Sequence, residues 1–451
     1  MTETETIYAL SSGAGMAGVA VIRLSGDQAF KALHALDGMA EPKARMATLR
    51  ELKDPVTGAR LDNALVLGFK APMSFTGEDV VELHVHGGRA VLAGVFGALS
   101  TVAGLRPAEP GEFSRRAFEN GKLDLTEAEG LNDLIHAQTA AQREQALQQL
   151  DGALKDLYEG WRARLIGHLA HLEADIDFPD EDLPEGVSGA VLPQILVLKD
   201  NITQYLVDNR RGEALRDGFR IVILGQPNAG KSTLLNALAR SDVAIVSEEA
   251  GTTRDVIEVS LDLGGYPVRL IDTAGLRDGV SDIEKEGIRR AEAKAADADL
   301  KLVLVRADEW PDIPEAAKRW LDEKAILLIT QVDRAKMFHV EHSEALSGIA
   351  GHVTVSAKSG EGMTDLFDTI QHYVMGAMAP RELPSLTRIR HRRALEETVE
   401  HLARFTDNAG IDAVLAAEDV RMAARALGKI TGRVGVEDML DVVFSDFCIG
   451  K

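Results

Sequence analysis

RIVILGQPNAGKSTLLNALA, Arg220 to Ala239, sets the reading of the whole chain. A β-type apolar run, Ile221–Leu224, passes into a loop bracketed by Gly225 and Gly230. Lys231 and Ser232 follow, and then apolar residues at helical spacing. Glycines let backbone N–H groups curl around anionic oxygens, a geometry that side chains would block. The start of the following helix adds partial positive charge at the same point. Lys231 brings a full cation for the β- and γ-phosphates, and Ser232 a hydroxyl for magnesium. A strand, a phosphate loop and a helix in that order predict a nucleoside triphosphate site on a parallel α/β sheet.

The pattern continues on the C-terminal side. From Phe219 to about Ala379, apolar runs (PVRLID, LKLVLV, AILLIT, HVTVS) alternate with helical or loop sequence, giving one α/β domain of ordinary size. GTTRD, Gly251 to Asp255, offers Thr253 to magnesium and the γ-phosphate. LIDTAGL places Asp272 at a strand end, followed by Thr273, Ala274 and Gly275, whose amide is positioned to sense the γ-phosphate. Asp333 follows the strand ILLIT, where a carboxylate accepts from both N1–H and the exocyclic amine of guanine. Adenine offers an acceptor at N1, so guanine is selected. Ser356, Ala357 and Lys358 in VSAKSG complete the base pocket. With Asn228, Ala229, Gly230, Lys231, Ser232 and Thr233, these residues form the expected GTP site.

Two departures stand out. The usual base-site pattern is Asn-Lys-x-Asp, and here it is Thr330-Gln331-Val332-Asp333, which removes the lysine stem from over the base. After the Asp-x-x-Gly element, Leu276 stands where Ras-type enzymes carry a water-orienting glutamine. A carboxylate in SDIEKEG substitutes for it, and Glu284 is the choice, against the plain alternative of a surface helix carboxylate. No arginine finger is evident; Asn228 could seat a monovalent cation against the phosphates instead.

Outside this domain, short β runs at TIYAL, GVAVIRL, NALVLGF and DVVELHVH, with a helix in DQAFKALHAL, predict a smaller α/β domain over residues 1–120. Helical periodicity fills 121–217, with breaks expected at Gly152 and Gly160 and a turn-rich acidic loop at DFPDEDLPEG. With the nucleotide domain over 218–379, helix returns over 380–451, and the two helical stretches are expected to form one discontinuous domain. The basic run TRIRHRR, Thr387 to Arg393, reads as a solvated helix face. His84 and His86 share a strand face, but no cysteine or third histidine accompanies them, so packing is favoured over metal.

The 451 residues carry a net charge of −21, which argues against a broad nucleic-acid surface. One cysteine, Cys448, excludes an intramolecular disulfide and fits a reducing compartment. The start MTETETIYAL lacks a basic, apolar leader, and no run approaches the roughly 20 residues of a membrane span. A cytoplasmic protein without a membrane anchor is expected. Cys448 sits in a C-terminal FSDFCIGK that is a poor prenylation signal, leaving packing or a functional thiol.

The combination of an N-terminal α/β domain, a P-loop domain inserted between helical segments, GQPNAGKST, GTTRD, DTAGLRD and a terminal CIGK resembles the MnmE (TrmE) family of tRNA modification GTPases over essentially the whole chain. The resemblance implies a dimer that binds GTP/GDP, Mg2+, K+ and a tetrahydrofolate derivative (5-formyl- or methylene-tetrahydrofolate). It implies a flavin-dependent partner, MnmG, and a joint reaction that places an aminomethyl-type group on C5 of the wobble uridine of certain tRNAs. The family's potassium ligands fall on Asn228, Ser247, Glu249 and Thr252, and its catalytic glutamate on Glu284. Its folate contacts fall on Arg23, Glu82, Lys122 and Lys451; a tail reaching that pocket sets Cys448 beside the one-carbon unit, as nucleophile or base. The competing class is a GTPase assembly factor acting on ribosomal RNA, for which a basic N-terminal module would be expected, and residues 1–120 show none.

Overall fold

The computed structural model describes residues 5–177, 187–207, 210–245, 258–272, 292–334, 346–378, 383–409, 411–435, 437–445, 447 and 449–450. Of the acidic loop expected over 177–186, Asp177 is the last residue of the helix Ala153–Asp177 and 178–186 lie outside the described residues. Two compact units emerge: Met1–Asn132 with Gln149–Leu183 and Gly410–Lys451, and Asp133–Gln148 with Pro184–Ala409.

In the first unit, alternation of apolar and polar residues builds a six-stranded sheet. Its strands are β1 (Thr6–Leu10), β2 (Ala17–Ser25), β3 (Thr48–Lys53), β4 (Arg60–Phe69), β5 (Val80–Gly87) and β6 (Leu105–Pro107), in the order β3-β4-β5-β2-β1-β6. Neighbours are antiparallel except β1 and β6. Ile22, Leu24 and Leu83 point to one face, where Leu33 and Leu36 of the helix Ala29–Asp37 and Leu99 of the helix Arg89–Ser100 bury them. Each such side chain contributes about 1.5–3 kcal/mol of burial. The opposite face carries Ile7 and Ala9, packed with Phe113 of the helix Glu112–Glu119. β3 and β6 have no counterpart among the sequence-predicted strands: TLRELK is half charged, and LRP is too short to show a period.

The helix Ala153–Asp177 packs along Ala413–Thr431. Buried Ala416, Ala423 and Ala424 are small enough to let the backbones approach closely. Gly152 does mark a break, while Gly160 lies inside the long helix, where the packed face outweighs one glycine's propensity.

The second unit holds β7 (Phe219–Gly225), β8 (Glu258–Leu263), β9 (Tyr266–Asp272), β10 (Leu300–Arg306), β11 (Ala325–Thr330) and β12 (Gly351–Val355), in the order β12-β11-β10-β7-β9-β8. All pairs are parallel except β8 with β9. β8 closes the edge and escapes a purely parallel reading, because EVSLDL alternates as an edge strand does. Ile221 and Ile223 face the helices Lys231–Ala239 and Met363–Met378, which bury Leu234, Leu235, Leu366 and Ile370 against them. The reversal of strand order at β7 opens a crevice beyond the strand C-termini, where ligands bind in such sheets.

In the same unit Val187–Val207 packs on Ile389–Asn408. The basic run at its start departs from the solvated face expected of it. His391 is fully buried, Arg388 pairs with Asp133 at 2.7 Å, and Arg392 pairs with Glu213 at 3.1 Å. Anchoring within the unit has taken these charges, a use that sequence spacing does not reveal. No helix among the described residues is long and apolar enough to cross a membrane.

Candidate functional site

The phosphate loop leaves β7 at Gly225, whose φ is +156°, and where a Cβ would lie 2.9 Å from Leu304 O of β10. Asn228 adopts φ +65° and Gly230 φ +98°, after which the helix begins at Lys231. A Cβ on Gly230 would meet no atom within 4 Å; here the left-handed backbone, rather than crowding, is what calls for glycine. The Lys231 ammonium donates to Gly225 O and Gln226 O, each at 2.9 Å, so the cation is held against the loop. Ser232 and Thr233 are exposed on the first turn of the helix, and Ala229 is buried beneath the loop.

The segment expected to read the base converges on the same sheet end. Thr330, the last residue of β11, is buried and donates from Oγ1 to Ala229 O at 2.8 Å. Gln331, at φ +59°, donates from Nε2 to Asn228 O at 2.9 Å. Asp333 accepts a 2.8 Å bond from Ser356 Oγ, and that serine, 1% exposed, also accepts from Ser359 N. One oxygen of Asp333 is thus fixed by a buried hydroxyl, which orients the carboxylate without neutralising it. Ala357 is half-buried and Lys358 exposed beside it. Asp272 ends β9, with Ile223 of β7 as its neighbour. Ser247, Glu249, Thr252, Thr253, Thr273, Ala274, Gly275 and Glu284 lie outside the described residues.

In the first unit, register brings two predicted residues together. Arg23 of β2 pairs with Glu82 of β5, and its Nε donates to Glu82 Oε1 at 3.0 Å. The guanidinium also stands 5.4 Å from the Phe75 ring centre and 5.8 Å from that of Phe113, on the sheet face opposite Ile22 and Leu24. For His84 the sequence favours packing. Its Nε2 is shielded from solvent, 3.6 Å from Glu82 Oε2, with no hydrogen-bond partner among the described residues. His86 turns instead to Asp62, 2.8 Å away; the two histidines do not join a metal-binding group among the described residues. Hydrogen bonds from His86 outweigh burial and keep the Asp62 carboxyl below its ordinary value.

Lys122 is exposed, with its side chain beside Gly77 of the loop that carries Phe75. That loop is braced by Arg116, which reaches Glu78 at 3.2 Å and Glu112 at 2.9 Å. Although burial opposes its ionisation, Arg106 and Arg116 hold the Glu112 carboxyl below its usual range. The tail returns to this unit across a sequence separation of 439: Ser11 Oγ donates to Gly450 O at 2.7 Å, and Ile449 forms a β-bridge with Pro110. Since Leu10 pairs with Ile22 and Ala9 with Arg23, residue 450 meets the sheet one position from the arginine. Cys448 and Lys451 lie outside the described residues.

The family model "MnmE helical domain" matches residues 125–448, and "GTP-binding protein TrmE N-terminus" matches 6–122. A "tRNA modification GTPase MnmE" from Parvibaculum lavamentivorans is 53% identical, covering 99% of this chain and 100% of that protein. One from Paramagnetospirillum magneticum is 52% identical with the same coverage. Among solved structures, the G domain of the T. maritima FeoB iron transporter aligns with 34% of this chain and 98% of that chain, at 29% identity and a TM-score of 0.26.

Proposed function

The chain belongs to the MnmE family of tRNA modification GTPases, and from that premise we propose how its two sites divide the work. It is a GTP-hydrolysing enzyme of tRNA modification. In our reading the nucleotide domain spans 218–379, and helices from 121–217 and 380–451 form one discontinuous domain around it. Residues 1–120 form the folate-binding and dimerising domain. The observation that carries the nucleotide assignment is the convergence of Lys231, Thr330 and the Ser356-held Asp333 at one sheet end.

Asp333 accepts from the guanine edge, while the amides of 228–233 and the Lys231 ammonium hold the phosphates. Ser232 and Thr253 are the oxygen ligands suited to magnesium, with Asp272 reaching it through water. Asn228, Ser247, Glu249 and Thr252 suit potassium; of these, Asn228 is exposed on the loop, and its backbone carbonyl is engaged by Gln331, which leaves the side-chain amide oxygen for the ion. Glu284 orients the attacking water in place of a glutamine. On the other unit, Arg23, Glu82 and the solvent-shielded His84 nitrogen suit a pterin, whose amino and ring N–H groups need a carboxylate, and Lys122 and Lys451 suit its anionic tail. Cys448 then stands at the one-carbon end. When bound, the metal ions supply positive charge to the phosphate oxygens, and the folate supplies a one-carbon unit.

The enzyme acts as a homodimer in the cytoplasm, together with the flavoprotein MnmG, to modify C5 of the wobble uridine. GTP turnover in potassium and in sodium, with Glu284→Ala as control, tests this reading. Faster turnover in potassium, lost in the variant, is expected; equal rates in both salts would remove the cation mechanism.

A further inference from the structure

The place of the missing Asn-Lys pair is taken by two donors that both leave the base. Thr330 Oγ1 and Gln331 Nε2 bond successive phosphate-loop carbonyls, Ala229 O at 2.8 Å and Asn228 O at 2.9 Å. In a trans peptide the C=O and the next N–H point in opposite directions. Drawing the 228 and 229 carbonyls toward β11 therefore turns the N–H groups of Ala229 and Gly230 to the other side, into the loop. Ala229 N–H donates to Gln226 O at 3.2 Å, a bond closed within the loop itself. Both Asn228 and Gln331 hold left-handed backbone, φ +65° and +59°, a strained arrangement for side chains other than glycine. The two loops are separated by 103 positions in sequence and fastened at adjacent residues.

We propose that Gln331 is a positioning residue for the diphosphate, acting through the Asn228 carbonyl, and makes no contribution to reading guanine. The proposal deepens the nucleotide assignment above and rests on it. Gln331 is on the exposed rim, so its substitution leaves the buried core intact.

The test is competition against a fluorescent GDP analogue by GDP, GMP, IDP and ADP, with the full-length wild type, Gln331→Leu and Gln331→Lys. Loss of one net hydrogen bond corresponds to about a three- to tenfold weakening. Gln331→Leu is expected to weaken GDP by that factor, with GMP affinity and the GDP/IDP ratio unchanged. Gln331→Lys, which keeps a donor, is expected to recover GDP affinity. Equal weakening of GMP, a shifted GDP/IDP ratio, or unaltered GDP affinity in Gln331→Leu would each overturn the proposal. A wild type that binds ADP as tightly as GDP would instead sink the underlying assignment of Asp333, whatever Gln331 does.

Discussion

Gly450→Ala isolates the docking of the tail. At φ +96° the residue lies in backbone that costs an L side chain about 1–2 kcal/mol. Its added Cβ would fall 2.0 Å from Leu10 O, far inside ordinary contact of about 3.5 Å. Leu10 cannot yield, because it is backbone in β1, paired with Ile22. The tail must move, and the Ser11 bond to Gly450 O goes with it, a further 0.5–1.5 kcal/mol or so. Together these bias the last residues toward the undocked state by about 1.5–3.5 kcal/mol, roughly ten- to several-hundredfold. Phe444 and Phe447 are buried upstream and keep the rest of the segment in place. Titration calorimetry with 5-formyltetrahydrofolate is expected to show at least tenfold weaker binding, with GTP turnover unchanged as the internal control. Wild-type folate affinity in Gly450→Ala would refute the reasoning that tail seating completes this site.

Other expectations are independent of the tail. Ser356→Ala frees the Asp333 carboxylate and is expected to weaken GDP binding about three- to tenfold, read by fluorescent-nucleotide titration. Cys448→Ser is expected to lower modified wobble uridine in cells without changing GTP hydrolysis; wild-type modification would exclude a functional thiol. Burial, reinforced by the neighbouring Glu127 charge, raises the Asp124 carboxyl above its ordinary 3.8. A raised folded value means stability that is present below 3.8 and lost as pH rises through the folded value. Asp124→Asn keeps the oxygen that accepts from Glu127 N. It is therefore expected to melt higher than wild type at pH 8, with the gain shrinking toward pH 4 in a pH series of thermal scans.

Legibility in the sequence followed the range of the interactions. The phosphate loop could be read because its glycines, lysine and helix start are contiguous, and the conformation they need is local. Nine of the strands announced themselves as short apolar runs; β3, β6 and β8, which are half charged, very short or at a sheet edge, did not. The exchange of Asn-Lys for Thr330-Gln331 was visible only as a loss. Its compensating bonds to residues 228 and 229 depend on β11 ending beside the β7 loop, which no spacing encodes. Likewise Arg23 and Glu82 were named through a resemblance, and only the β2–β5 register puts them in contact. That His84 shares the neighbourhood of Glu82 is likewise invisible in the spacing, because a histidine two places from a carboxylate carries no signal until the face it occupies is known.

The most direct measurement is mass spectrometry of the wobble uridine in tRNA from cells lacking this protein and complemented with wild type or Arg23→Ala, with GTP turnover assayed on the purified proteins in parallel. The account predicts C5 modification restored by wild type only, and equal GTP hydrolysis by both. Full modification with Arg23→Ala, or no modification with an active wild-type GTPase and MnmG present, would contradict it.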